Sequence, residues 1–112
     1  MCIRDRGYSA LGSNTTGEKN TGLGYNVMGS NTTGSRNLGI GWGTLDGSDT
    51  ENDNLAIGYN ALGGAIAGGE YNVAIGNYSL DANTSGDYNV AIGYASLTVS
   101  YTHLTLPTIL RV

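Results

Sequence analysis

The residues of this chain that could carry chemistry are few and poorly placed for it. One cysteine, Cys2, and one histidine, His103, stand near opposite ends. A serine or cysteine nucleophile needs a base within hydrogen-bond reach, and between Gly7 and Thr98 there is neither histidine nor cysteine. The densest group of carboxylates is Asp46-Gly47-Ser48-Asp49-Thr50-Glu51-Asn52-Asp53. Its oxygens could gather around Ca²⁺, but the spacing fits neither the EF-hand loop nor the Gly-Gly-x-Gly-x-Asp repeat of calcium-binding rolls. A solvated loop is therefore expected there. Paired acids of the glycosidase kind need a framework that holds them across a sugar, and these acids lie in loops. Gly22-Leu23-Gly24 and Gly39-Ile40-Gly41 begin like a dinucleotide-binding fingerprint, yet Val27 and Thr44 occupy the third glycine position and no helix follows. The sequence thus predicts no enzyme, no cofactor and no metal ion. Asn14-Thr15-Thr16, Asn31-Thr32-Thr33 and Asn83-Thr84-Ser85 match the acceptor pattern for N-glycosylation, a pattern that arises easily by chance in a chain so rich in Asn and Thr.

The elements that would hold these residues are set by an internal repeat. Asn20-Thr21-Gly22-Leu23-Gly24-Tyr25, Asn37-Leu38-Gly39-Ile40-Gly41-Trp42, Asn54-Leu55-Ala56-Ile57-Gly58-Tyr59, Asn72-Val73-Ala74-Ile75-Gly76-Asn77 and Asn89-Val90-Ala91-Ile92-Gly93-Tyr94 are copies of one unit. The glycines at 7, 24, 41, 58, 76 and 93 recur about every 17 residues, the mark of a stacked repeat architecture. One extra residue falls in the Gly63–Gly69 loop. A second apolar element follows each glycine: Ala10-Leu11, Val27-Met28, Thr44-Leu45, Ala61-Leu62, Ser79-Leu80 and Ser96-Leu97. Turn formers such as Gly12-Ser13-Asn14-Thr15-Thr16-Gly17 separate the units. Each unit is read as strand, tight bend, short strand and loop, with no run of helical periodicity.

Successive side chains of a strand point to opposite sides, so Leu23, Ile40, Ile57, Ile75 and Ile92 share one face and Gly22, Gly39, Ala56, Ala74 and Ala91 the other. The branched face is expected to fill the inside of each coil, and the small-residue face to receive the backbone of a neighbouring chain. Asn20, Asn37, Asn54, Asn72 and Asn89 begin the units. Identical amides on coils ~4.8 Å apart can hydrogen-bond as a ladder, or each can cap a turn; the spacing allows both.

Composition narrows the partners. Between Gly7 and Thr98 the only cations are Lys19 and Arg36, against eight carboxylates, and a nucleic-acid binder needs clustered Lys and Arg. No apolar run reaches the ~18 residues of a membrane-spanning helix. Neither nucleic-acid binding nor direct membrane insertion is expected. The array of Thr-Thr pairs, at 15–16 and 32–33, is too short for a flat ice- or mineral-binding surface.

Both ends have a different character. Met1–Arg6 and Val99–Val112 resemble the translation of transposon-end and adaptor DNA used to prepare sequencing libraries. The expected organisation is a non-native segment at 1–6, a repeat region at 7–98 belonging to a longer protein, and a second non-native segment at 99–112, with both ends standing apart from the roll.

With the unit read as Asn-Val-Ala-Ile-Gly-Tyr, then Ala-Leu, then Ser-Asn-Thr-Thr-Gly, residues 7–97 resemble the head repeats of trimeric autotransporter adhesins. They are similar also to repeats of phage tail fibres and of surface fibres that end in a self-cleaving chaperone domain. The resemblance implies an all-β, left-handed parallel β-roll in which three chains associate as a homotrimer. It also implies a place outside the cell, at the outer-membrane surface or on a virion tail, and contact with a host-surface protein or glycan receptor. The function expected is a structural and adhesive fibre segment; the alternative is a spacer that presents a downstream enzymatic or self-cleaving domain. The units here are longer than those typical of adhesin heads, which favours the tail-fibre or surface-fibre variant.

Overall fold

Each short extended run before a repeat glycine becomes a strand. The computed structural model describes residues 3–47, 49–64, 69–82 and 85–97, the first four by backbone alone. Its strands are β1 (Ile3–Arg6), β2 (Asn20–Leu23), β3 (Leu38–Ile40), β4 (Leu55–Ile57), β5 (Val73–Ile75) and β6 (Val90–Ile92). They form one sheet in chain order, and every pair is parallel. Parallel neighbours require a crossover between them, and here each crossover is the rest of the repeat, so the chain winds as an all-β solenoid. Every strand residue stands beside its counterpart in the next coil: Leu38 opposite Leu55, Ala56 opposite Ala74, Ile75 opposite Ile92. The result is elongated, with principal extents of 39 × 21 × 16 Å.

The hydrogen bonds between coils continue around the perimeter, beyond the strands. The Leu45 N–H donates to Ala61, Leu62 to Ser79 and Leu80 to Ser96 on the return segment, and Thr15 to Thr32 and Thr32 to Asp49 in the loop. At the last corner Arg36 donates to Glu18 and Tyr88 to Glu70. A backbone turned this often would otherwise leave many buried polar groups unpaired.

Besides the corner glycine, three positions per coil adopt positive φ, and these turn the chain. The residue two after the corner glycine is one, as in Asn26, Asn60 and Tyr78. The buried leucine or methionine of the return segment is the second: Leu11, Met28, Leu45, Leu62, Leu80 and Leu97, with φ of 49–53° for all six. The residue before the repeat asparagine is the third, as in Arg36, Asp53 and Tyr71. The second apolar element is thus a turn, where the sequence predicted a short strand. A left-handed leucine costs ~1–2 kcal/mol, which the ~1.5–3 kcal/mol from burying its side chain offsets.

The corner glycines have no substitute. Gly24, Gly41, Gly58, Gly76 and Gly93 have φ between 126° and 134°, and a Cβ on Gly58 would lie 2.6 Å from the Gly76 carbonyl of the next coil. Positive φ and the absence of room together select glycine.

The two strand faces are the reverse of the expected assignment. Gly22, Gly39, Ala56, Ala74 and Ala91 point into the coil and are buried, whereas Leu23, Ile40, Ile57, Ile75 and Ile92 point outward, Leu23 and Ile92 being nearly half exposed. The physical reason is the return segment, whose Leu11, Met28, Leu45, Leu62 and Leu80 already fill the interior and leave the strand room only for small residues. Volumes match across this gap. Beside Gly22 and Gly39 lies Val27, whose Cγ1 would be 2.6 Å from a Cβ on Gly39, with the Thr44 hydroxyl at 2.9 Å. In later coils Ala61, Ser79 and Ser96 take the position of Val27, and the strands carry Ala56, Ala74 and Ala91.

The N-terminal segment also departs from expectation. Ile3–Arg6 does not stand apart; it pairs with β2, Ile3 opposite Asn20 and Arg6 opposite Leu23. The free edge of β2 offers backbone N–H and C=O groups that accept any extended segment, whatever its side chains. The expectation for residues 99–112 lies outside the described residues.

The volume matching predicts a coupling. Gly39→Ala should cost roughly 1–3 kcal/mol in the parent chain, and less when Val27→Ala has removed the closer of its two tight contacts and left the Thr44 hydroxyl, giving an interaction energy of about 0.5 kcal/mol or more. Urea unfolding of the four chains of that double-mutant cycle measures it; strict additivity would show that the two side chains do not compete for one space.

Candidate interaction surface

With the small residues inside, the solvent side of the sheet collects the branched ones. Two columns run along it: Thr21, Leu38, Leu55, Val73 and Val90, then Leu23, Ile40, Ile57, Ile75 and Ile92. Neither column contains a charge. Val90 at 52%, Ile92 at 47% and Leu23 at 46% are exposed, as is Thr21, and the inner coils are half-buried.

A third column borders them, because the residue after each corner glycine also faces outward. Tyr8, Tyr25, Trp42 and Tyr59 stack there, with ring centroids 5.3, 5.9 and 5.0 Å apart and planes within 11° of parallel. Coil five transposes the order to Asn77-Tyr78. The ladder continues through Tyr78 and Tyr94 edge to face, at 5.3 and 6.1 Å, while the Asn77 side-chain oxygen accepts the Tyr59 N–H at 2.8 Å. Because the first four rings cover each other's faces, the ladder presents edges outward and offers no free planar platform for a sugar between them.

On the other side of the branched columns lies the column before the repeat asparagines: Lys19, Arg36, Asp53, Tyr71 and Tyr88. Arg36 grips Asp53 of the next coil with two bonds, Nε to Oδ1 at 2.7 Å and Nη2 to Oδ2 at 2.8 Å, and this holds the Asp53 carboxyl below the usual carboxylate range. Tyr71 and Tyr88 stack in parallel, 5.0 Å apart and 2° from coplanar orientation.

The repeat asparagines lie inside the coil and bind the coils together. The side-chain oxygen of Asn20 accepts the Asn37 N–H, that of Asn37 the Asn54 N–H, that of Asn54 the Asn72 N–H and that of Asn72 the Asn89 N–H, each at 2.9 Å. Their amide groups donate to corner carbonyls of the following coil: Asn20 to Gly34, Asn37 to Glu51 at 2.8 Å and Asn54 to Gly69 at 2.9 Å. Between repeat asparagines, the described residues show direct amide-to-amide bonds from Asn72 to Asn54 and from Asn89 to Asn72, both 3.1 Å. Laddering and turn capping are here one arrangement.

The acidic loop is dispersed and is not uniformly solvated. Glu51 is buried, with one oxygen accepting the Asp49 and Thr50 N–H groups. Asp49 accepts the Thr32 hydroxyl, Asp53 is held by Arg36, and Asp46 is half-buried in contact with Asn26. Burial pushes Asp46 up from the ordinary carboxylate value, opposed by hydrogen bonds from Asn26 and the Gly29 backbone. Burial likewise raises Asp81, against an Asn60 amide donating at 2.8 Å. Among the described residues no group of three or more His, Cys, Asp and Glu converges as a metal would require. Asn31 is fully buried, its amide donating to Asn14 at 2.8 Å and to Gly34 at 3.1 Å, so a glycosyl transferase could not reach it in the folded roll. Asn83 lies outside the described residues.

Comparison of the chain with protein-family models, with curated proteins and with solved structures finds no match.

Sequence reasoning missed the outward aromatic ladder and the Tyr71–Tyr88 pair. The alternation of faces extended through the glycine, together with the shared period of Tyr8, Tyr25, Trp42 and Tyr59, was the signal available.

Two outcomes are expected. Asn54→Ala removes the acceptor of both the Asn72 N–H and the Asn72 side-chain amide and the donor to Gly69, leaving three buried groups short of a partner at ~1–3 kcal/mol each; a loss of about 3 kcal/mol or more in denaturant unfolding follows, and a loss below about 0.5 kcal/mol would mean that the bonds are replaced. For Asp46 the raised value means that the folded state favours the protonated form. The charge is then a penalty at neutral pH, one that shrinks as pH falls through the folded value and is gone below the ordinary one. Asp46→Asn, which keeps an oxygen toward Asn26, should melt above the parent at about pH 7 and show no such advantage at about pH 3. An equal difference at both pH values would remove charge as its cause.

Proposed function

We propose that this chain is a structural and adhesive segment of a fibre, assembled as a homotrimer through the outward sheet face. The observation that carries the reading is the uncharged double column from Leu23 to Ile92 on the outside of a single roll, exposed at Leu23, Val90 and Ile92 and half-buried in the coils between. Soluble monomers rarely expose a contiguous apolar stripe of this kind, and its even spacing matches a second copy of itself, coil for coil. Parallel copies about a common axis would cover the stripe and leave the loops outward for contact. The resemblance of the repeats to those of trimeric adhesin heads and tail fibres supports the same number of chains and a left-handed winding. It supports also a place at a cell or virion surface, and a host protein or glycan as the surface touched. Gly22, Gly39, Ala56, Ala74 and Ala91 are buried inside the coil and so do not form the contact between chains that their small size predicts.

Light scattering after size exclusion tests the assembly. The parent chain should run as a trimer, whereas Ile57→Lys with Ile75→Lys, which places charge on the stripe without touching the interior, should run as a monomer that retains its β-sheet circular dichroism. A folded monomeric parent, or a trimer indifferent to the two lysines, would overturn the proposal.

A further inference from the structure

The Tyr71–Tyr88 pair has no part in the interior and does not belong to the aromatic ladder. The two rings are parallel to within 2° at 5.0 Å, the most nearly parallel aromatic contact among the described residues. Both residues sit at positive-φ corners, with φ of 59° and 58°. Their backbones are tied to the coil before, the Tyr71 N–H to Asn52 and the Tyr88 N–H to Glu70 at 3.0 Å. The rings are held in place, yet 46% and 75% exposed. A soluble oxidant can reach them, and no tryptophan stands in their column to divert a radical, as Trp42 does between Tyr25 and Tyr59.

We infer that Tyr71 and Tyr88 are a site of oxidative cross-linking, at which a one-electron oxidant of the peroxidase and hydrogen peroxide class joins adjacent coils through a dityrosine bond. Each phenol loses one electron to the oxidant and its hydroxyl proton to water. The two phenoxyl radicals couple through a new carbon–carbon bond between ring carbons ortho to oxygen. The hydrogen on each of those carbons then moves to its own oxygen and restores both phenols. Two hydrogens leave the protein in total, and one hydrogen peroxide becomes two waters. The parallel rings, with centroids 5.0 Å apart, are already neighbours, and the two side chains have to close that gap and turn edge to edge as the bond forms. The edge-to-face contacts of Tyr59 with Tyr78 and of Tyr78 with Tyr94 turn a ring edge toward a ring face instead. The product would close a loop of about 17 residues and restrict the unfolded chain as a disulfide does, in a region with no cysteine between Gly7 and Thr98.

The test treats the full chain with peroxidase and limiting hydrogen peroxide, then maps peptides by mass spectrometry and follows dityrosine fluorescence. The expected result is a principal product joining the Tyr71 and Tyr88 peptides within one chain, lighter by two hydrogens. Tyr88→Phe, at an exposed ring that the fold does not need, should abolish that product and leave circular dichroism unchanged. The same treatment in urea should scatter coupling over many tyrosine pairs. A native chain that gives the scattered pattern, couples chiefly between chains, or keeps its principal product after Tyr88→Phe overturns the inference. The outcome does not depend on the oligomer, because an intrachain cross-link is expected equally in a folded monomer.

Discussion

The constraint on which the rest depends is that each residue lies directly beside its counterpart one coil on, at the ~4.8 Å separation of hydrogen-bonded strands. Nothing bulky can stand between the coils, and the tightest place is the corner after the strand. There the φ of Gly58, 132°, and the nearness of the Gly76 carbonyl admit no side chain at all. Once the glycine column is placed, the strand before it and the outward aromatic after it are fixed in direction. The two left-handed residues that follow return the chain beneath the strand. Repetition multiplies the consequence, since a misfit at one coil disturbs the hydrogen bonds of both neighbours.

The interior follows from that geometry. A coil this narrow holds one leucine or methionine, one small or β-branched residue, one glycine or alanine and one asparagine. Carrying the large side chain on the return segment forces a left-handed leucine, yet it frees the strand to approach closely with Gly39 or Ala56. The asparagine is the polar complement. Its buried amide would be costly unpaired, but within an identical stack its oxygen finds the next asparagine's N–H, and its amide group finds a corner carbonyl at Asn20, Asn37 and Asn54 or the preceding asparagine's oxygen at Asn72 and Asn89. The same residue type satisfies every coil except at the ends of the stack.

Much of this was legible in the residues. Period and strand positions came from Asn-x-x-x-Gly spacing, and the asparagine bonds from the requirement that identical groups face each other. Which strand face lies inside was not legible from the strand alone. Alternation separates Leu55 and Ile57 from Ala56 but does not say which set faces the coil, and the usual preference for branched apolar residues inside pointed the wrong way. The deciding evidence was elsewhere in the repeat, in the Leu or Met of each return segment, a turn too compact to be recognised as the core. Leucine is a poor indicator of positive φ, and at the other corners only Asn26, Gly43, Asp53 and Asn60 are of types that favour it. The pairing of Ile3–Arg6 with β2 was illegible for a different reason: it depends on an open strand edge, which no side-chain pattern records.

The inverted faces connect the roll's thinness to its surface. A wider coil could have taken Leu55 and Ile57 inward and shown water a polar strand. Here the return segment has used the interior volume, so hydrophobic side chains added to the strand can only go out. The outward columns are accordingly apolar without being core, and charges are kept to the flanks, at Arg36 and Asp53, and to the loops. Trp42 and its stacked tyrosines border the stripe and cover each other's faces, while Ile57 and Ile75 between them and the corner column are half-buried. A regular, uncharged surface with the roll's own repeat is complementary in spacing to another copy of itself, which is why the proposed assembly places its contact there.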